Sequence, residues 1–112
     1  MNYDVAIAGG GPAGLSAALA AASSGASVLI VEQNSEIGSP TRTSGGSFIR
    51  ELIELGIPPP LFHPIRRVRF VSPNQCAAFD YSEPVMCVMD VRGVYQYLAT
   101  LAAQRGFAAN RS

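Results

Sequence analysis

Six consecutive residues near the start of the chain, Gly9-Gly10-Gly11-Pro12-Ala13-Gly14, constrain its fold more than any other feature. The apolar run Val5-Ala6-Ile7-Ala8 precedes this glycine turn, and a second apolar run, Val28-Leu29-Ile30-Val31, ends at Glu32. Such runs are typical of parallel strands that are buried on both faces. Because the alanine-rich segment between them repeats its apolar residues at helical spacing, the three pieces predict a βαβ unit of about 30 residues.

The residues of the glycine turn fit the fingerprint of a dinucleotide site. Gly9 permits the tight turn out of the strand, Gly11 lacks the β-carbon that would block a pyrophosphate, and Gly14 lets the helix pack near the strands. The diphosphate would then meet free backbone amides at the positive end of the helix dipole. Pro12 fits the first helical turn, where its missing amide hydrogen costs little.

Glu32 supplies the acidic position of the same fingerprint. Its carboxylate can accept hydrogen bonds from both ribose hydroxyls, whereas its charge would repel a 2′-phosphate, so NADP is disfavoured here. The same fold binds the ADP half of either FAD or NAD. FAD is favoured because a loop of Gly, Pro, Ser and Thr over residues 38–46, with Arg42 as its only charge, follows Glu32. Flavin enzymes often use such a loop to cover the pyrophosphate and approach the isoalloxazine ring.

The middle of the chain predicts a small antiparallel β insertion. Residues Ile65 to Val71 alternate between apolar and polar side chains, as a half-exposed strand does. Ala77 to Tyr81 and Val85 to Met89 are weaker strand candidates, separated by Ser-Glu-Pro. Ser47 is expected to cap a short helix that precedes this insertion.

A second long helix is predicted after Asp90, which is a good helix cap, and it should end at Gly106. A parallel sheet needs another strand after this helix, but residues 107–112 are few and increasingly polar. The predicted fold is therefore α/β, a Rossmann-type βαβ FAD/NAD(P)-binding fold with two clear parallel strands, an incomplete parallel sheet and an antiparallel insertion. The apolar stripe of the second helix consists of Val91, Val94, Tyr95, Leu98, Leu101 and Ala102.

Composition argues against several classes of partner. Eight acidic and eight basic residues leave no net charge that would attract a polyanion, and Arg66, Arg67 and Arg69 are best explained as the wet face of a strand. Nucleic acid is thus not an expected partner. Cys76 and Cys87 belong to no metal-binding spacing, so we expect reduced thiols and no metal site. With neither a signal peptide nor a spanning segment in the sequence, we expect a cytoplasmic protein.

Four stretches of the sequence together resemble the geranylgeranyl reductase family of flavoproteins. They are the glycine turn at residues 9–14, then Glu32, the Gly/Ser/Thr loop at residues 38–46, and Asp90-Val91-Arg92 at the start of the second long helix. The likeness spans nearly the whole chain and is strongest over the first 32 residues. In this family, bound FAD passes a hydride to an isoprenoid double bond, with NADPH as a reductant. A lipid substrate of this kind would also bring such a protein to a membrane surface.

The resemblance implies which residues contact the cofactor. Those near the ADP part and the pyrophosphate would be the residues of the glycine turn, including Ala13, together with Glu32 and Arg42. Those along the flavin would be Thr43, Ser44 and Gly46, with Arg92 approaching from its helix. A cation in the first turn of a helix opposes the helix dipole, so Arg92 needs an anionic partner, which the cofactor would supply.

The sequence departs from the family at Thr43, where prenyl reductases commonly have the cysteine of a Pro-x-Arg-Cys pattern. Threonine can donate a hydrogen bond but cannot supply a thiol. The family's later Gly-Asp motif and its substrate domain are also missing, so residues 1–112 are expected to form an FAD-binding segment without an assignable catalytic residue. Two other interpretations stay open: the corresponding part of an FAD-dependent aromatic-ring monooxygenase, and a truncated FAD- or ADP-binding module without turnover.

Overall fold

The computed structural model describes residues 2–104 and the backbone of residues 107–111. The chain divides into two compact units, one formed by Met1–Arg42 with Val91–Ser112 and the other by Thr43–Asp90. The predicted helix end at Gly106 lies outside the described residues. In chain order, the elements are β1 (Val5–Ala8), α1 (Pro12–Ser23), β2 (Val28–Glu32), β3 (Gly46–Phe48), α2 (Ile49–Glu54), a 3₁₀ turn (Pro59–Leu61), β4 (Phe62–Ile65), β5 (Arg67–Val71), β6 (Cys76–Asp80), β7 (Met86–Met89), α3 (Val91–Gln104) and β8 (Phe107–Arg111).

The first unit contains a parallel sheet of three strands in the order β1-β2-β8. Val5 pairs with Val28, and Val28 pairs in turn with Phe107, so the strands run in register from the same end. The predicted βαβ unit is therefore confirmed. The parallel sheet has one more strand than the two that the sequence indicated, because β8 pairs with β2 although its own sequence is weakly apolar.

The core of the first unit lies on one face of this sheet. Leu15, Ala18 and Ala22 repeat along α1 and pack against Val28 and Ile30 of β2, and these five residues are at most 7% exposed. Apolar side chains of α3 add to the same cluster. Gly25, with φ +92°, follows the C-terminus of α1 in the left-handed conformation expected there.

The opposite face of the sheet differs from the prediction of strands buried on both faces. In β1, Val5 and Ile7 are half-buried, whereas Ala6 and Ala8 are exposed. Side chains alternate across a strand, so only the set that faces the helices becomes buried. In the described part of the first unit, the helices therefore cover one face of the sheet, although β1 carries apolar side chains on both faces.

The second unit consists of two small antiparallel sheets and α2. One sheet has the strand order β3-β7-β4, and the other is the hairpin of β5 and β6. The predicted antiparallel insertion is confirmed, but the strand expected from Ile65 to Val71 is split at Arg66 between the two sheets. Ser47 lies within β3 and Phe48 occupies the N-cap of α2, so the expected cap at Ser47 was wrong.

The two faces of the β5–β6 hairpin differ in chemistry. Val68 pairs with Phe79 and Phe70 with Ala77, so one face is wholly apolar. Phe70 and Phe79 make an edge-to-face contact with ring centroids 5.9 Å apart, and they remain 62% and 48% exposed. On the other face Arg67 donates a hydrogen bond of 2.6 Å to Asp80. Arg67 and Arg69 thus lie on an exposed, partly paired strand face, as predicted, whereas Arg66 is exposed between β4 and β5 rather than within a strand.

Candidate cofactor site at the glycine turn

The glycine turn leaves β1 in a conformation that only glycine adopts without strain. Gly9 has φ +104°, and its N–H donates a hydrogen bond of 2.8 Å to the carbonyl of Val31. This bond ties the start of the turn to the neighbouring strand. The tight-turn role expected of Gly9 is therefore visible in its backbone geometry.

Gly14 is required by the contact between α1 and the turn. A β-carbon at this position would lie 2.1 Å from the carbonyl oxygen of Gly9 and 3.3 Å from a side-chain carbon of Ile7. The first of these distances is far inside van der Waals contact, and the atom met is backbone, which cannot move aside. Gly14 thus sets how closely the helix approaches the strand.

Gly11 has a different reason to be glycine. Its φ of −78° is open to any residue, and a β-carbon built there would meet no protein atom within 4 Å. The space beside Gly11 is therefore open rather than filled by the protein. Gly11 is also the N-cap of α1, which has no side-chain cap and no acidic residue in its first turn, and Pro12 follows directly. An anion placed here would meet backbone N–H groups and the positive end of the helix dipole.

Glu32 is held in place by two backbone amides. The N–H of Gly10 donates to one carboxylate oxygen at 2.9 Å, and the N–H of Asn34 donates to the other at 2.7 Å. These bonds, the one from Gly10 foremost, lower the pKa of the Glu32 carboxyl below its ordinary value, and desolvation opposes them weakly. An ionised carboxylate has about four lone-pair positions, so both oxygens can still accept a ligand hydroxyl.

Arg92 lies in the first turn of α3 and forms an ion pair with Glu36. The side chains of Arg92 and Glu36 are 54% and 41% exposed. The anionic partner that a cation at this helix start requires is therefore present in the chain itself. In addition, a β-carbon at Gly38 would lie only 2.9 Å from the Cα of Arg92, so the loop after β2 packs directly on the backbone of α3.

The remaining predicted contacts lie on the loop after Gly38. Arg42, Thr43, Ser44 and Gly46 are all exposed, so their polar groups are available to a ligand. The N–H of Gly46 approaches the hydroxyl of Ser44 at 3.4 Å. Arg42 belongs to the first unit, whereas Thr43, Ser44 and Gly46 belong to the second.

Two residues that hold the Glu32 carboxylate in place, Gly10 and Asn34, were not predicted from the sequence. Gly10 is buried, donates to Glu32, and has little room for a β-carbon, which would lie 3.2 Å from the side chain of Ile37. Asn34 supplies the second donor to Glu32. The run of three glycines is the one local signal that could have identified Gly10. The contacts of Ile37 and Asn34 depend on how the loop after β2 folds back, and they leave no local sequence pattern.

The two cysteines lie on strands of the second unit. Cys76 is exposed in β6 and Cys87 is 1% exposed in β7, and both thiols are free. Burial raises the pKa of the Cys87 thiol.

In the described parts of the chain, no group of three or more His, Cys, Asp or Glu side chains could hold a metal ion. No helix among those residues is long and apolar enough to cross a bilayer.

Comparison with known proteins agrees with this geometry. The family of FAD dependent oxidoreductases matches residues 4–53, which include the glycine turn, Glu32 and the following loop. A digeranylgeranylglycerophospholipid reductase of Methanoculleus marisnigri is 42% identical over 78 residues, which cover 68% of this chain and 20% of that protein. A second such reductase, from Methanothermobacter thermautotrophicus, is 34% identical over 110 residues, covering 95% of this chain and 29% of the relative.

Solved structures extend the likeness to the fold. A geranylgeranyl bacteriochlorophyll reductase-like protein from Thermoplasma acidophilum superposes with a TM-score of 0.83 at 30% identity, over 97% of this chain and 30% of that one. A probable FAD-dependent monooxygenase from Pseudomonas aeruginosa, at 16% identity and a TM-score of 0.70, shares the fold. The chain thus spans less than a third of the length of these relatives. Over residues 4–53 it matches the family of FAD dependent oxidoreductases, and among such proteins it resembles the geranylgeranyl reductases.

Proposed function

We propose that residues 1–112 form the FAD-binding segment of a reductase that transfers a hydride from reduced FAD to an isoprenoid double bond, with NADPH as the reductant. In this proposal the substrate domain is formed by residues outside this chain. The names of the relatives support an isoprenoid lipid as the substrate class. A lipid of this kind would bring the complete protein to a membrane surface through its substrate.

The observation that carries the proposal is the open space at Gly11 beside the uncapped N-terminus of α1. A β-carbon there would enter the place that a pyrophosphate needs, whereas the β-carbon at Gly14 would clash with the protein itself. Glu32, ionised and held by two amides, lies at the end of the neighbouring strand, where ribose hydroxyls would be recognised. FAD supplies the redox chemistry when bound, and the chain supplies position and charge.

The proposed contacts fall into three groups. The turn residues would hold the pyrophosphate through backbone amides and close approach, and Glu32 would accept hydrogen bonds from the ribose. Arg42 would add charge near the pyrophosphate, and the exposed loop residues would line the flavin with Arg92. The full set is Gly9, Gly11, Pro12, Ala13, Gly14, Glu32, Arg42, Thr43, Ser44, Gly46 and Arg92.

A flavin-dependent aromatic-ring monooxygenase is the second candidate. The observation that favours it is Thr43, which replaces the cysteine of the prenyl reductase pattern, together with a fold shared with a probable monooxygenase. Both candidates need the same FAD site, and they differ in the substrate domain and in the chemistry that the bound flavin performs.

Purification with and without added FAD tests the common part of both proposals. We expect a yellow protein with a bound-flavin spectrum, and ADP should compete with FAD for the site. A colourless protein that fails to bind either ligand would overturn both candidates.

Anaerobic addition of NADPH to the yellow protein then tests whether the bound flavin accepts a hydride. In the complete protein with its substrate domain, reduction without any aromatic substrate favours the reductase, and reduction that depends on an aromatic substrate favours the monooxygenase.

A further inference from the structure

The loop from Asn34 to Gly38 joins the proposed ribose site to α3. It begins two residues after Glu32, the last residue of β2, and its Glu36 forms an isolated bridge with Ser39, which follows the loop. The loop, the glycine turn and α3 all belong to the first unit. The loop touches the proposed site at one end and α3 at the other.

At the site end, the loop determines where the carboxylate of Glu32 points. The N–H of Asn34 binds one carboxylate oxygen at 2.7 Å, while the N–H of Gly10 binds the other at 2.9 Å. The side chain of Ile37 lies against Gly10, close enough that a β-carbon at Gly10 would be 3.2 Å from it. The loop and the glycine turn therefore each hold one of the two carboxylate oxygens.

At the helix end, three contacts hold the loop on α3. Gln96 donates a side-chain hydrogen bond to the backbone carbonyl of Ile37 in a partly buried setting. Glu36 pairs with Arg92, and Gly38 packs on the Arg92 backbone. The Glu36–Arg92 pair is about half exposed, and exposed ion pairs contribute little. The partly buried amide of Gln96 is thus the stronger side-chain anchor.

We propose that Gln96 is a positioning residue for ribose recognition. Its side-chain amide holds Ile37 against Gly10 and keeps the Asn34 N–H on Glu32, so that both carboxylate oxygens face the ribose hydroxyls. Gln96 itself does not touch the cofactor. The proposal rests on the binding of an ADP half at the glycine turn, and it assigns a specificity role to a helix residue four positions beyond Arg92.

The measurement is the ratio of the dissociation constants for 2′-deoxy-ADP and ADP, obtained by calorimetry. A hydroxyl bonded to an ionised carboxylate should make this ratio about ten in the unsubstituted protein, and Glu32→Ala should bring it to about one. Gln96→Met has a similar volume but no donor, so we expect a ratio of about three or less. Gln96→Lys again offers an N–H donor to the Ile37 carbonyl, and its ratio should return toward ten.

A matched control is Thr100→Val, one turn further along α3. Thr100 donates to the carbonyl of Gln96 within the helix and makes no bond to the loop, so the ratio should stay near ten. Circular dichroism identifies any variant that fails to fold, in which case Gln96→Leu replaces Gln96→Met.

The outcomes separate this proposal from the one on which it rests. A protein that does not bind ADP, or that shows a ratio of one without any substitution, contradicts the proposed ribose site itself. A normal ratio in the unsubstituted protein that persists in Gln96→Met overturns the role of Gln96. An equal loss in Gln96→Met and Gln96→Lys also overturns it, because the donor would then be irrelevant. A change in melting temperature alone does not move a ratio of two ligand affinities.

Discussion

Gly11 and Gly14 lie three positions apart and lack a side chain for opposite reasons. At Gly14 the missing β-carbon makes room for the backbone of Gly9, 2.1 Å away. We expect Gly14→Ala to destabilise the protein by about 1–3 kcal/mol, because α1 must move off the turn. Urea unfolding measures this loss, and FAD affinity should fall with it because the turn is displaced.

The matched substitution, Gly11→Ala, separates stability from binding. Its β-carbon meets no protein atom within 4 Å, so the free energy of unfolding should change by less than about 1 kcal/mol. FAD affinity should nevertheless drop by about tenfold or more, because the new methyl group occupies the place of the pyrophosphate. Equal losses of stability in the two variants would contradict this assignment of roles.

Glu32 should make stability depend on pH in the acid range. Its folded pKa is lowered by the amides of Gly10 and Asn34, so its contribution is present above the carboxyl pKa of the unfolded chain, about 4.3. The contribution is lost as the pH falls through the lower, folded pKa. The difference in unfolding free energy between the protein and Glu32→Gln should therefore be largest near neutrality and shrink on acidification. A difference that does not vary with pH would contradict this contribution of Glu32 to stability.

At the scale of single residues, the sequence indicated the proposed cofactor contacts better than the residues that hold them in place. Gly9 and Gly14 stand at fixed spacings, and each has the backbone geometry that its spacing predicts. Glu32 lies at the end of β2, as its spacing predicts. Arg92 is the instructive contrast. Its place in a first helical turn correctly implied an anionic partner, but Glu36 provides one from a loop 56 residues earlier. Local pattern cannot identify a partner that distant in sequence.

At the scale of elements, Gly38 joins the loop after β2 to α3. It combines a φ of +82° with a β-carbon position 2.9 Å from the Cα of Arg92. Gly25 offers a matched control, because it has φ +92° but no neighbour within 4 Å. Gly25→Ala should cost about 1–2 kcal/mol from backbone strain alone, and Gly38→Ala should cost at least about 1 kcal/mol more. Equal costs in chemical unfolding would show that the loop does not press on α3.

The elements that the sequence predicted best are those with strong local periodicity. Apolar spacing, together with glycine or acidic residues at the ends of the segments, predicts β1, α1, β2 and α3. β8 was harder to predict, because its segment is short and ends in the polar residues Asn-Arg. It forms a strand by pairing with the edge of β2, which is distant in sequence. The split of the strand at Arg66 has the same origin, since β4 and β5 pair with different strands.

At the scale of the whole molecule, the proposed contacts with the ADP half, in the first unit, can be followed separately from those proposed for residues 43–46, in the second. Hydrogen exchange should show that ADP slows exchange in the glycine turn and at the end of β2. FAD should protect the same amides and, in addition, those of residues 43–46 if the flavin lies along them. The hairpin of β5 and β6 serves as an internal reference in both experiments. Equal protection by ADP and FAD at residues 43–46 would contradict the proposed flavin contacts.

The hydrogen bond from Gly10 to Glu32 has a consequence for changing cofactor preference by design. Replacing an acidic strand-end residue with a basic one is the obvious route toward ligands that carry a 2′-phosphate. Here the carboxylate is also the acceptor for two backbone amides, so its removal leaves Gly10 and Asn34 without their partner. A successful redesign of this segment must supply a new acceptor for those amides before it supplies a new charge for the ligand.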